Sequence, residues 1–363
     1  MPLIRLVSDG IRSVRGFFED RQERKERQAL MAKRQFRIAS SWDELGEHEM
    51  TARAVEAIKA SGEFEKFEPL FLSAHAADVT LPSGCALHEA LMRRILDPAP
   101  VEPQAQRAYL APFFAAFETR HSPHMAGLLA NALIRCSDES RGADVVDETS
   151  DEQWGGYSDH RMRARQVLDA CADVAGSSLL WQTADYHLAI DVVERPRDAV
   201  DAAFERVWML DRYNLNLCAD HGIILLPRWV GRGPNDLEVF ARRALSVTED
   251  RFGAGAYGFI YSIQAGVGSH DVSETLCDPD LVVRGFEDLI ERFPTSQSIL
   301  NRYAMAMDWI GDLQAVYRIQ KRINTINPNI WVWSFDDQAG GVDDALNVFL
   351  DARDAALSER FDR

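Results

Sequence analysis

Apolar side chains recur three and four positions apart along most of this 363-residue chain. That spacing lines up one face of an α-helix and gives a β-strand no consistent buried side. Residues 215–226 show it plainly: Leu215, Cys218, Ala219, Gly222, Ile223 and Leu226 fall at offsets 0, 3, 4, 7, 8 and 11. The run "IILL" is therefore read as the end of a helix, not as a buried strand. Pro227 disfavours helical geometry in the residue before it, so the helix is expected to stop near Leu226. "PRWVGRGP" is then a turn, and Asn235 or Asp236 is expected to cap a following helix with Leu237, Phe240, Ala241, Ala244 and Leu245 on one stripe.

The same reading divides the chain into four regions. Residues 1–40 predict a basic amphipathic helix, with Leu3, Val7, Ile11, Val14 and Phe18 on one face. Residues 41–136 predict helices separated by the breaks "TLPSG" and "DPAPVEPQ". Residues 137–160 carry eight acids against one arginine and are expected to form a solvated loop between two halves. Residues 161–363 are strongly periodic and weakly repetitive: Ala304, Gly311 and Pro328 stand 7 and 17 residues apart, and Ala189, Pro196 and Tyr213 echo those intervals. The first set is similar in spacing to the small-residue, turn and terminating-proline positions of a tetratricopeptide repeat, and the fainter echo has lost the glycine and the final proline. Helix pairs of that kind bury their apolar faces only by stacking on neighbours. The expected fold is all-α, an α-solenoid of stacked helical hairpins resembling tetratricopeptide repeats.

Charge narrows the partners. A net charge of -17 opposes binding to a phosphate backbone, so no nucleic-acid partner is expected. The charge is uneven, because residues 1–40 are +5 and the remainder is -22. A basic amphipathic helix can dock on its own domain, on a partner or on an anionic membrane, so membrane contact through residues 1–37 stays open as an alternative. The five cysteines, Cys85, Cys136, Cys171, Cys218 and Cys277, are scattered and never form CxxC. Reduced thiols and a cytoplasmic location are expected, and no signal-peptide or transmembrane pattern appears.

Several motifs fail on their context. "GRGPND" lacks a preceding strand and places Asp236 where a dinucleotide fingerprint needs its third glycine. Gly253, Gly255 and Gly258 spell GxGxxG, but Ala254, Gly255, Gly258 and Ser262 lie at helical intervals and read as a ridge for close helix packing. The acidic segment lacks the alternating ligands of a calcium loop. His121 and His124 in "HSPH" supply too few ligands for structural zinc. Cys218, Asp220 and His221 are the nearest approach to a nucleophilic set, without a nucleophile elbow. No catalytic residue, cofactor or metal is expected.

"GIILLPRWVGRGPNDLEVFARRA" followed by "GAGAYGFIYSI" resembles the signature of an uncharacterised bacterial family of tetratricopeptide-like helical domains. Pro227-Arg228-Trp229, Gly231 and Phe240-Ala241 carry it most specifically. "GEFEKFEPLF", "PSGCALHEAL" and "HSPHMAGLLANALIRCSDESRG" extend the similarity over roughly residues 45–350. Val230-Gly231 departs from the usual glycine pair. The resemblance implies a helical domain and no enzymatic mechanism.

The binding residues expected on these grounds are Arg228, Trp229, Tyr257, Trp181 and His187. The expected role is a non-enzymatic, cytoplasmic interaction module for a protein or peptide, of scaffold, adaptor or immunity type. Its acidic surface favours a basic partner. The rival reading is a hydrolase with a pocket near Arg228, Trp229 and His187.

Overall fold

The computed structural model describes residues 36–142, 149–190, 197–227, 229–267, 272–331 and 346–355. These residues are predominantly helical, with one two-stranded parallel pairing, β1 (Arg37–Ile38) against β2 (Thr325–Ile326). None of their helices is long and apolar enough to cross a membrane. The expected N-terminal helix lies outside the described residues up to position 35. Its last residues are not helical: Arg37 and Ile38 are extended because their backbone is spent on the pairing with β2.

Four helices come first: α1 (Glu49–Ser61), α2 (Phe67–Ala76), α3 (Leu87–Leu96) and α4 (Pro103–Thr119). Ten follow in alternation: α5 (Pro123–Arg141), α6 (Asp151–Asp169), α7 (Leu179–Ile190), α8 (Arg197–Leu210), α9 (Leu215–Ile224), α10 (Pro234–Phe252), α11 (Gly255–Val267), α12 (Pro279–Arg292), α13 (Gln297–Ile310) and α14 (Leu313–Gln320). Helix α5 packs on both α6 and α7, α9 on both α10 and α11, and α11 on α12 and α13. The odd-numbered members are buried on most sides, whereas α6 buries only Ala164 and Leu168, and α12 only the stripe Val282, Gly285, Phe286 and Leu289. An inner helix must be apolar nearly all round and an outer one only on a stripe, which is how their sequences differ.

Small residues set the closest approaches. A Cβ on Gly127 would lie 2.3 Å from the Trp181 backbone nitrogen, and one on Gly285 would lie 2.5 Å from the Ala254 carbonyl oxygen. Gly258 faces Gly285, so the small-residue ridge read from "GAGAYG" is the seam between α11 and α12. Gly311, at φ 87, ends α13 in the left-handed conformation, and the Asp312 side chain caps α14. Ala304 and Gly311 therefore mark a helix and the turn after it, but α14 ends at Gln320 and β2 intervenes, so Pro328 does not terminate that helix as the spacing implied.

Two expectations about helix ends are corrected. The segment 137–160 is not a loop throughout: 137–141 complete α5, and 151–160 open α6 behind a capping box of Ser150 and Gln153. Helix α9 ends at Ile224, close to the expected stop, but the cap of α10 is Gly233. Asp236 instead accepts a hydrogen bond from the Arg232 N–H at 2.8 Å and pairs with Arg197 at 2.8 Å.

The start of the described chain is fastened to much later segments. Glu44 accepts hydrogen bonds from Ser296 and Ser298, and Asn327 donates to Ser41 at 2.7 Å. His75 meets the Leu210 carbonyl at 3.0 Å, and Asp78 pairs with Arg251. One continuous apolar core runs from Leu45 to Ala352. Helices α3 and α9 meet through Asn216, which donates to Glu89 at 3.2 Å, beside the feature described next.

Candidate functional site

A cavity of about 800 Å³ lies among α3, α5, α6, α7 and α9. Each helix contributes one stripe at helical spacing: Glu89, Met92, Arg93 and Leu96 from α3; Asn131, Ile134, Arg135, Asp138 and Arg141 from α5; Trp154, Tyr157, Ser158 and Arg161 from α6. Helix α7 adds Leu179, Thr183, His187 and Ile190, and α9 adds Leu217, Asp220 and Ile224. An inner helix thus uses most of its surface for packing and reserves one strip of mixed chemistry for the cavity.

The α5–α6 side is cationic but internally paired. Arg135 meets Asp97 at 2.8 Å, and Arg161 meets Asp138 at 2.9 Å. Arg161 also donates to Ser137 at 3.1 Å and lies over the Tyr157 ring at 4.6 Å, while Arg141 lies over Trp154 at 5.5 Å. Burial, reinforced by Arg161 and Arg135, pushes the His187 ring down to about 4, so it is neutral at pH 7. Asn131 donates to the Gly127 and Leu180 carbonyls at 2.8 and 3.1 Å, which holds α5 and α7 in register beside this wall.

The α3–α9 side is acidic. His88 and Asp211 form a buried pair at 2.8 Å, and Asn214 donates to the same Asp211 oxygen at 2.9 Å. Burial opposes charging the His88 ring, but the bond to Asp211 and its charge outweigh that and raise the pKa. Burial likewise pushes Glu89 up to about 7, helped by the charge of Asp220. Asp220 is pushed up to about 6, again chiefly by burial, with Arg302 and Arg93 drawing it down. Its side chain is exposed and lines the cavity. Glu89 accepts from Asn216 at 3.2 Å.

The expected site residues separate into three groups. Trp229, 51 % exposed, and His187 both line the cavity. Trp181 and Tyr257 do not: Trp181 is buried over Gly127 and donates its indole N–H to Leu168 at 3.0 Å. Tyr257 is fully buried, donating to Glu238 at 2.8 Å and accepting from the Asp278 N–H at 2.8 Å. Both serve the core. Arg228 lies outside the described residues.

The Cys218, Asp220 and His221 set is dispersed by its own helix. Cys218 is buried in the core, Asp220 faces the cavity, and His221 stacks on Phe204 at 3.7 Å and bonds Tyr186 at 3.0 Å. His124 is bonded to Ser178 at 2.9 Å, and Ser122 caps α5. Among the described residues no group of three or more His, Cys, Asp or Glu is arranged to hold a metal ion.

Sequence reasoning missed His88, Glu89, Asp211, Arg135 and Arg161, and met Asp220 only as a weak member of a triad. One usable signal was present. Asn216, Asp220 and His221 interrupt an otherwise apolar helix, and a charge in that position needs an internal polar surface.

The described residues form a predominantly helical fold with a partly enclosed, charged and aromatic internal site. No protein-family profile, curated protein or solved structure matches this chain.

Proposed function

We propose that the protein is a non-enzymatic interaction module of stacked, tetratricopeptide-like hairpins that takes a short peptide segment of a partner protein into its internal cavity. The observation that carries this is the cavity itself. At about 800 Å³ it falls within the range of specific ligand sites, with apolar and aromatic walls and a few fixed polar groups. Arg135 and Arg161 are held by carboxylates, so much of the cationic wall is pre-ordered and costs little conformational entropy on binding. Trp229 stands half-exposed beside it, as an aromatic anchor would. The resemblance of "LLPRWVG" to tetratricopeptide-like domains points the same way, and the overall acidity favours a basic segment. Free, mostly buried thiols suit a reducing, cytoplasmic setting.

The hydrolase reading has one observation in its favour, the His88–Asp211 pair beside the cavity. A histidine oriented by a carboxylate needs a nucleophile or a positioned water to act on. Ser158 and Thr183 are the cavity hydroxyls from serine and threonine, and neither is bonded to His88. Binding is the better account.

The test is selection of random short peptides on the immobilised protein, run in parallel on Thr183→Trp, which places an indole inside the cavity. Enrichment of a common sequence by the intact protein and its loss with the folded variant supports the proposal. Equal enrichment by both, or no enrichment by either, rejects it.

A further inference from the structure

Two carboxylates from different helices face the acidic end of this cavity, and no ion pair with either is formed among the described residues. Glu89 comes from α3 and Asp220 from α9. The groups around them are Asp211, His88, Arg93 and Arg302. Arg93 is taken by Asp97 at 3.3 Å and lies over Trp42 at 4.9 Å. Arg302, from α13, sits over the Phe259 ring at 4.4 Å, and its Nε has no hydrogen-bond partner. With His88 neutral, Glu89, Asp220 and Asp211 when ionised outnumber Arg302, and Arg93 shares the Asp97 carboxylate with Arg135, so this end of the cavity is net negative.

A second observation comes from His88, which is 4 % exposed and lines the same end of the cavity. Its Nε2 is engaged by Asp211, which accepts a proton-bearing nitrogen, so in the neutral ring Nδ1 carries a lone pair. That Nδ1 has no hydrogen-bond partner. A buried polar atom left unpaired is costly, and such atoms are rare without a reason. It is closed to solvent, so reaching it requires a small shift of the ring.

We propose that this end of the cavity binds a primary ammonium group, between the carboxylates of Glu89 and Asp220 with His88 Nδ1 as a third acceptor. This rests on the cavity being the binding site. An ammonium carries three N–H donors and one positive charge. Three acceptors in a net-negative surround match it, whereas a guanidinium asks for a planar fork of acceptors. A lysine side chain and a small aliphatic amine share this chemistry.

The binding is coupled to protons. Glu89 is pushed up to about 7 and Asp220 to about 6, so acidification neutralises the carboxylates. Protonating His88, whose pKa is raised, adds a repelling charge in the same direction. Asp211, held low because its bond to His88 outweighs burial, stays ionised. The amine itself remains charged well above pH 8. Affinity therefore rises with pH.

The experiment is a titration followed by tryptophan fluorescence, since Trp42, Trp154 and Trp229 line the cavity. The probes are n-butylamine, a blocked lysine-containing pentapeptide and the same peptide with acetylated lysine. The proposal expects saturable binding of at least one amine and at least about tenfold weakening by Glu89→Gln or Asp220→Asn, each isosteric. It also expects weakening of about tenfold from pH 8 to pH 5.5. Tighter binding of the lysyl peptide than of butylamine assigns a protein source, and the reverse a small-molecule source. The proposal is overturned if neither amine saturates, if acetylated lysine binds equally, or if both variants bind as the wild type does. Peptides that are selected through the cavity yet ignore acetylation would defeat this inference while leaving the binding reading intact.

Discussion

Two glycine-to-alanine substitutions should act in opposite directions, and the structure says why. Gly127 and Gly155 both lie inside helices, α5 and α6. Alanine is worth up to about 1 kcal/mol over glycine in a helix, from lost backbone freedom in the unfolded chain. At Gly155 a Cβ would meet nothing within 4 Å, so that gain is realised in full. At Gly127 it would lie 2.3 Å from the Trp181 nitrogen and 2.4 Å from the Leu180 carbonyl carbon, both backbone atoms that cannot turn aside. To restore ordinary contact, α5 and α7 must part by about 1 Å, and overpacking of this kind costs about 1–3 kcal/mol or more. Parting them also strains the Asn131 hydrogen bond to Leu180. Gly127→Ala should therefore destabilise by about 2 kcal/mol net, while Gly155→Ala stabilises by up to about 1. Urea denaturation followed by circular dichroism measures both. If Gly127→Ala proves as stable as Gly155→Ala, the close α5–α7 seam, and with it this wall of the cavity, is wrong.

Other consequences are equally open to measurement. Gly231→Ala would put a Cβ 1.8 Å from the Leu225 carbonyl oxygen, so the turn carrying Trp229 must open; a lowered melting temperature and a shifted tryptophan emission are expected. Tyr257→Phe leaves the Asp278 N–H without its acceptor and removes one donor to Glu238, a loss of about 1–3 kcal/mol in a denaturation series. Glu89→Gln should become increasingly stabilising between about pH 4.3 and pH 7. There the unfolded carboxyl has ionised and the buried one, pushed up to about 7, resists doing so. Above that window the gain is constant; a variant whose advantage is the same at pH 4 and pH 8 would refute the assignment. His221, held down to about 3 by burial, works oppositely: the folded ring stays neutral while the unfolded one protonates below about pH 6.5, so its contribution weakens on acidification.

Local chemistry made much of the fold legible. The three-and-four spacing of Leu215 through Leu226 gives α9 to within two residues, and the interval from Ala304 to Gly311 marks the α13–α14 turn. Where the reading failed, something distant or reciprocal decided. Arg37 and Ile38 are extended because β2, nearly the whole chain away, takes their backbone groups. The acids of 151–160 looked like a loop because an outer helix needs very little apolar surface, and α6 buries only Ala164 and Leu168. Asp236 was read as a cap on residue preference alone, but Gly233 and Pro234 begin the helix and free its carboxylate for Arg197. The cavity was the least legible part. Its acidic end exists only because His88 and Glu89 meet Asp211 and Asn216, more than 120 positions later, and no local pattern encodes that meeting.

The most direct measurement of the central claim is calorimetric titration of one selected peptide into the intact protein and into Thr183→Trp, with folding verified by circular dichroism. The account predicts saturable binding to the first, weakened at least about tenfold in the second because the indole occupies the space the peptide needs. Equal affinity for both would contradict it, and would place the working surface of this protein outside the cavity.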